Sequence, residues 1–215
     1  MNYTALIVAA GSGSRMGLGY NKMLYQLEDG KTIVEKTISI FKNDTRCQQI
    51  IVVTSAQDMY TFVNLIQDPS ITYVQGGDTR QASVFQGLKA VTSEYVFIHD
   101  GARPWLDQAC LDRLCDCVQE TKACLLMVPV KDTIKVVEDG KVIHTPNRAT
   151  LYAAQTPQAF ETNAIFKAYV KADQLGMQAT DDAQVMESCG DYAVYSVLGS
   201  YENTKVTTKE DIVGK

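Results

Sequence analysis

Four sets of residues have types and spacings suited to phosphoryl chemistry. The first is Ala9-Ala10-Gly11-Ser12-Gly13-Ser14-Arg15-Met16-Gly17, followed by Asn21-Lys22. Small side chains let backbone N–H groups approach a polyphosphate closely, and Arg15 and Lys22 add positive charge where phosphoryl oxygens would sit. The loop contains no Gly-Lys-Ser/Thr, so it is not a Walker A loop. After Gly11-x-Gly13 the next glycine comes one place late for a dinucleotide fingerprint. Alone, the segment also reads as a tight strand-to-helix turn.

The second set is Gly76-Gly77-Asp78-Thr79-Arg80-Gln81-Ala82-Ser83, where an apolar run gives way to a helical pattern. Free N–H groups at a helix start, with Ser83 in its first turn, suit an anion or a pyrimidine edge. A capped helix with Asp78 or Thr79 as N-cap is the plainer reading. The third set is His99-Asp100-Gly101-Ala102-Arg103-Pro104. A carboxylate there, close to a polyphosphate, is a natural ligand for a hard cation, because magnesium takes one or two carboxylates plus phosphate oxygens. Arg103 is placed to fix Asp100 or to touch a phosphate, and His99 reads as hydrogen-bonded scaffold. The fourth set is scattered: Lys131-Asp132-Thr133, Arg148, Gln155-Thr156-Pro157-Gln158-Ala159-Phe160, Thr180-Asp181-Asp182-Ala183 and Asn203-Thr204-Lys205-Val206-Thr207-Thr208. Each piece alone could be a turn or a cap, and Thr180 and Thr208 are credible N-caps.

The elements that must position these groups follow from hydrophobic periodicity. Strands are expected at Ala5–Ala10, Ile50–Thr54, Ile71–Val74, Tyr95–Ile98 and Cys124–Val128. Helices are expected at Ile33–Lys42, Ala56–Ile66, Gln81–Val91 and Asp107–Thr121. Strands that read as continuous apolar runs are buried on both faces, as in a parallel sheet covered by helices. The expected fold is α/β: an open, mainly parallel Rossmann-like sheet flanked by helices. An Asp at the carboxyl end of its fourth strand then lies where such sheets bind ligands.

The series breaks after Val130. Thr133–Val137 and Lys141–His144 are short β-like runs around Glu138-Asp139-Gly140, and Asp-Gly is a strong hairpin signal. With mixed polarity on both faces, this hairpin reads as a projecting arm spanning residues 132–149 of a single domain, 1–215. A projecting arm needs a partner, which predicts a dimer. Helices resume at Glu161–Leu175 and Asp181–Ser188, and a last strand is expected at Tyr192–Val197.

Composition bounds the partners. The chain has 215 residues, 46% hydrophobic, with a formal net charge of −5, so no basic field advertises a nucleic-acid backbone. The apolar run Cys124–Val130 is far too short to span a bilayer. No charged n-region precedes the first apolar run, so a cytoplasmic protein starting on a strand is expected. The six cysteines include no CxxC pair, and His99 and His144 stand far apart, which argues against structural zinc and for packing thiols.

Taken together, Ala-Ala-Gly-x-Gly-x-Arg-Met, Gly-Gly-x-x-Arg-Gln-x-Ser-Val, His-Asp-Gly-Ala-Arg-Pro, Asp-Thr-Ile-Lys, Gln-Thr-Pro-Gln-Ala-Phe, Thr-Asp-Asp-Ala and Asn-x-Lys-x-Thr-Thr, in this order, resemble the 2-C-methyl-D-erythritol 4-phosphate cytidylyltransferase family. The resemblance runs from the first strand to Asp211. It implies transfer of CMP from CTP to methylerythritol phosphate with release of pyrophosphate, a step of isoprenoid precursor synthesis. It implies Mg²⁺ or another divalent cation near Asp100, and a homodimer whose arms embrace the neighbouring subunit. Arg15 and Lys22 match the residues that stabilise the transition state. Ala9, Ala10, Gly11, Gly13, Gly77, Asp78, Ser83 and Ala102 match the cytidine side. Thr133, Arg148, Thr180 and Lys205 match the acceptor side, with Arg148 contributed across the dimer. Many relatives have proline before the catalytic lysine, where this chain has Asn21. Proline would stiffen the loop, so Asn21 is expected to leave it freer.

Three rival readings differ in what they require. A ribitol 5-phosphate cytidylyltransferase shares the plan, but relatives of that kind tend to carry Ala-Gly-Gly in the first loop and Asp-Ala-Val-Arg-Pro in the third. A dinucleotide-dependent oxidoreductase needs the third fingerprint glycine and an acid at the end of the second strand. A catalytically silent nucleotide-binding scaffold has no need to keep Arg15, Lys22 and Asp100 together.

Overall fold

The computed structural model describes residues 1–11 and 16–212. A seven-stranded sheet with order β3-β2-β1-β4-β8-β5-β9 forms the body. Its strands are β1 (Tyr3–Val8), β2 (Cys47–Thr54), β3 (Ile71–Gln75), β4 (Tyr95–Asp100), β5 (Ala123–Pro129), β8 (Tyr152–Glu161) and β9 (Tyr195–Leu198). The helices are α1 (Ile33–Lys42), α2 (Met59–Ile66), α3 (Arg80–Leu88), α4 (Gln108–Thr121), α5 (Thr162–Gln174) and α6 (Asp182–Cys189). This is the expected mainly parallel α/β sheet.

Both faces of the sheet are covered, which explains the unbroken apolar runs. Ala5 and Ile7 of β1 face a core with Ile33, Phe41, Leu111 and Leu114. Leu6 points the other way, into a core with Val84, Ile165, Tyr169 and Val185. Helix starts follow local chemistry. Thr32 and Glu35 form a capping box on α1, and Asp107 caps α4 through Cys110 N–H; each such cap stabilises by about 1 kcal/mol. All six cysteines are free thiols.

Two registers gather the chemical loops. β1 pairs in parallel with β4 so that Val8 lies opposite Asp100, which puts Ala9-Ala10-Gly11 beside the His-Asp-Gly-Ala-Arg-Pro segment. β2 pairs with β3 through Thr54 opposite Gln75, which brings Gly76-Gly77 to the same edge. The sheet grows outward in opposite directions from β1 and β4, so this edge holds the crevice where open α/β sheets bind ligands.

The sheet departs from expectation at one strand. Gln155–Phe160, read as a scattered motif, lies within β8, which runs antiparallel between β4 and β5. Its polar residues hid it: Gln155, Thr156 and Gln158 are all buried. Each is satisfied by a specific partner. Gln155 Nε2 donates to Ser200 O, Thr156 Oγ1 accepts from Asp100 N–H, and Gln158 Nε2 donates to Asp181.

The hairpin comprises β6 (Val136–Glu138) and β7 (Lys141–His144) and forms a separate two-stranded sheet. Asp139 and Gly140 both take positive φ, 46° and 76°, as a tight Asp-Gly turn requires. Ile134, Val137, Val142 and Ile143 are exposed along it.

Candidate functional site

Two clefts open at the carboxyl edge of the sheet and share a charged wall. The larger, about 510 Å³, is lined by Ala10, Gly11, Lys22, Gly77, Asp78, Ser83 and Ala102, among others. The smaller, about 260 Å³, is lined by Arg103, Gln155, Thr156, Gln158, Thr180 and Asp181. Arg80, Asp100 and Lys205 line both. A third cavity of about 280 Å³, between α3 and α5, has only Lys89 and Asp173 as charged lining residues and lacks converging cations.

Gly76 and Gly77 let the larger cleft close around α3. A Cβ on Gly76 would meet Ser83 Oγ at 2.7 Å, and one on Gly77 would meet Ala82 Cβ at 2.7 Å. Ser83 is buried, and its hydroxyl accepts from Gly77 N–H and donates to Gly77 O, both at 3.2 Å. Its first duty is therefore to fold the turn that presents Gly77 and Asp78. Thr79 is the N-cap of α3, accepting from Ala82 N–H.

Asp100 is the electrostatic centre. Its Oδ2 accepts from Lys205 Nζ at 2.7 Å and its Oδ1 from Arg80 Nε at 3.2 Å. Arg103 Nε lies 4.0 Å away and is buried, with no hydrogen-bond partner among the described residues. Burial alone would push the Asp100 carboxyl up, but Arg80 and Lys205 outweigh it and hold it well below the usual carboxylate range. The group is ionised at neutral pH.

His99 is a buried scaffold. Its Nε2–H donates to Arg103 O, and its Nδ1 accepts from Thr156 Oγ1, both at 3.1 Å. This tautomer is assigned from the partners, since Arg103 O can only accept. Burial lowers the His99 pKa to about 4, so the ring is neutral and holds the Asp100–Arg103 turn in shape.

Arg80, within Gly-Gly-x-x-Arg-Gln-x-Ser-Val, is a residue of the site whose role the sequence pattern does not reveal. Its Nη1 and Nη2 donate to Asp182 at 3.1 and 2.8 Å, while its Nε reaches Asp100. Asp182 is fully buried and also accepts from Tyr169 OH at 2.5 Å. Burial works against the Arg80 charge, but Asp182 and Asp100 raise its pKa. One signal was legible: a cation in the first turn of a helix opposes the helix dipole and implies a nearby anion.

Lys22 is buried and its Nζ donates to Val206 O at 2.7 Å. It precedes Met23 in a short 3₁₀ turn, Lys22–Leu24. The C-terminal motif is stapled here as well. Asn203 Nδ2 donates to Thr156 O, Arg103 Nη1 donates to Asn203 O, and Val206 N–H donates to Ala102 O.

Most of the expected residues converge. Ala10, Gly11, Lys22, Gly77, Asp78, Ser83, Asp100, Ala102 and Lys205 line the larger cleft, and Thr180 lines the smaller. Ala9 lies just beneath, buried, with its carbonyl accepting from Asn21 Nδ2. Gly13 and Arg15 lie outside the described residues. Thr133 and Arg148 are exposed at the base of the hairpin and line neither cleft. Thr180 is not the cap of α6: Asp181 caps it through Gln184 N–H, and Thr180 Oγ1 donates to Gln184 Oε1. Asn21 also departs from expectation, because it is buried and bonded rather than loose.

A doubly covered, mainly parallel sheet, with glycine turns and several cations meeting at its strand-order switch, defines a Rossmann-like protein built to hold phosphorylated ligands. A family model described as 2-C-methyl-D-erythritol 4-phosphate cytidylyltransferase matches residues 3–214. The enzyme of that name from Halalkalibacterium halodurans is 43% identical over 218 residues, covering 99% of this chain and 95% of the relative. Its counterpart from Bacillus licheniformis is 40% identical, covering 99% and 94%. A crystal structure of 4-diphosphocytidyl-2C-methyl-D-erythritol synthase from Anaerococcus prevotii superposes with a TM-score of 0.87 at 34% identity, covering 99% of this chain and 95% of that one. The chain belongs to the 2-C-methyl-D-erythritol 4-phosphate cytidylyltransferase family. Among the described residues no helix is long and apolar enough to cross a membrane.

Proposed function

We propose that this chain transfers the cytidylyl group of CTP to 2-C-methyl-D-erythritol 4-phosphate and releases pyrophosphate. The observation that carries the reading is the shared wall. Arg80, Asp100 and Lys205 border both clefts, so a nucleotide in the larger and a polyol phosphate in the smaller would meet there.

In this reading the acceptor's phosphate oxygen attacks the α-phosphorus, and the bond to the bridging oxygen of pyrophosphate breaks in line. A phosphate monoester is already a competent anion, so no general base is required. The obstacle is charge: an anion approaches a polyanion while further charge builds on the leaving oxygen. Lys22, Arg15 and the N–H groups of the first turn are assigned to that charge. Ala9, Ala10, Gly11, Gly13, Gly77, Asp78, Ser83 and Ala102 are assigned to CTP. Thr180 and Lys205 are assigned to the acceptor.

A divalent cation fits the donors present. Asp100 is ionised and faces the junction, while the described residues contain no group of three or more metal-ligating side chains. Such a site is incomplete without phosphate oxygens, which is how magnesium is usually held. Asp100 would hold it, and it would supply neutralisation of phosphoryl oxygens.

The reading extends to assembly. Residues 132–149 would act as a dimer arm on a single domain, 1–215, with Thr133 and Arg148 serving the neighbouring subunit's acceptor cleft. The exposed Ile134, Val137, Val142 and Ile143 support this, because they leave apolar side chains uncovered on an isolated two-stranded element. In this reading the enzyme works in the cytoplasm. The test is pyrophosphate release, screening four nucleoside triphosphates against methylerythritol phosphate and ribitol phosphate. Selective turnover of CTP with methylerythritol phosphate is expected; preference for ribitol phosphate or another nucleotide would replace the assignment.

A further inference from the structure

We infer that Asn21 is a positioning residue: its carboxamide clamps the turn carrying Lys22 to the end of β1 and to the start of α2. The inference rests on the reading of Lys22 as the cation that meets the triphosphate.

A single 3₁₀ turn such as Lys22–Leu24 has too few hydrogen bonds to hold its own geometry. Asn21 supplies what the turn lacks. Its Oδ1 accepts from Met23 N–H at 3.1 Å, capping the turn. Its Nδ2 donates to Ala9 O at 3.3 Å and to Asp58 Oδ2 at 2.9 Å. The oxygen meets a donor and the amino group meets two acceptors, so the amide orientation is unambiguous.

Asp58 is prepared for this role. It stands at the N-cap position of α2, yet its side chain makes no cap bond there. Instead Oδ2 accepts from Ser55 Oγ at 2.8 Å as well as from Asn21, and Ser55 Oγ accepts from Asp58 N–H at 3.1 Å. The carboxylate is thereby turned away from its own helix and toward the lysine turn. Lys22 is gripped at both ends: Asn21 fixes its backbone, and Val206 O receives its ammonium. A long lysine loses rotamer freedom when it is held in place, and fixing its root limits where its ammonium can reach before substrate arrives. The φ of Asn21 is −62°, which a proline ring also holds, so proline at this position can restrain the same backbone without the amide.

The test is steady-state pyrophosphate release, with thermal melts, on Asn21→Ala, Asn21→Pro, Asp58→Ala, Asn21→Ala/Asp58→Ala and Lys22→Ala. Asn21→Ala should lower kcat by about 10-fold or more, the scale of a small misplacement of a reacting group, with the acceptor KM nearly unchanged. Asp58→Ala should reproduce part of that loss, and the double variant should be no worse than Asn21→Ala, because the two residues act as one unit. Asn21→Pro should regain most of the turnover. Wild-type kcat in Asn21→Ala, additive losses in the double variant, or no recovery in Asn21→Pro overturns the inference. If Asn21→Ala does not fold, Asp58→Ala, which keeps the cap, decides by whether kcat drops. Lys22→Ala separates the two ideas: wild-type turnover there removes the role of the lysine itself, whereas an inactive Lys22→Ala beside an unimpaired Asn21→Ala removes only the clamp.

Discussion

Lys205 Nζ donates to Asp100 Oδ2 at 2.7 Å, so the carboxylate at the carboxyl end of β4 is gripped by the C-terminal segment. A cation binding Asp100 must share or displace that contact, and the freed ammonium then faces the acceptor cleft it already lines. Asp100→Asn should therefore lower kcat by about 10²-fold, the scale of removing one preorganised electrostatic group. It should also raise the magnesium concentration for half-maximal rate. An unchanged magnesium titration would remove Asp100 from the metal site. Lys205→Ala should mainly raise the acceptor KM while the CTP KM stays nearly constant.

Lys22 and Arg15 are assigned to charge that develops only as pyrophosphate departs. Replacing either by Ala should lower kcat by roughly 10²-fold or more. Circular dichroism and melting should show a folded protein in both. Near-normal turnover in both variants would shift the chemistry to other cations of the cleft.

Arg148 lies at the base of the hairpin, with Nη1 donating to Lys131 O, and lines neither cleft of its own subunit. If it serves the neighbouring subunit, two inactive variants should complement. Mixed dimers of Arg148→Ala and Lys22→Ala carry one site with both residues intact. Random mixing should then restore about a quarter of the sites. Activity no higher than the sum of the separate variants would place Arg148 in its own subunit's site or outside the reaction.

Stability should fall on mild acidification because of His99. Its pKa is about 4 in the fold, lowered by burial, against an ordinary 6.5. Between those values the unfolded chain binds a proton that the folded chain refuses. Stability is therefore full above about pH 6.5, declines as the pH falls toward 4, and gains no further loss from this group below that. The loss amounts to about 3 kcal/mol. Denaturant unfolding of the wild type and His99→Gln across pH 7 to 4 measures it. Equal slopes in the two proteins would show that His99 is not the group responsible.

The residues explain which features could be foreseen. β1 and β4 were legible because both faces are buried, which forces unbroken apolar sequence. The hairpin was legible because Asp139-Gly140 must adopt positive φ. β8 was not, since its buried positions carry Gln155, Thr156 and Gln158, whose partners lie on distant segments.

Sequence by itself determined the alternating strands and helices from β1 to β5, the hairpin, the glycine-rich segments and the residue types available for phosphate and cation. Those depend on local conformational preference and on periodic burial, which a linear pattern records. Tertiary structure alone decided that Arg80 joins Asp182 to Asp100 across two clefts, and that Asn21 is tied to Asp58 rather than free. Those contacts join residues far apart in the chain. They form because a buried charge or amide must find a partner, and the packed fold determines which one lies within reach.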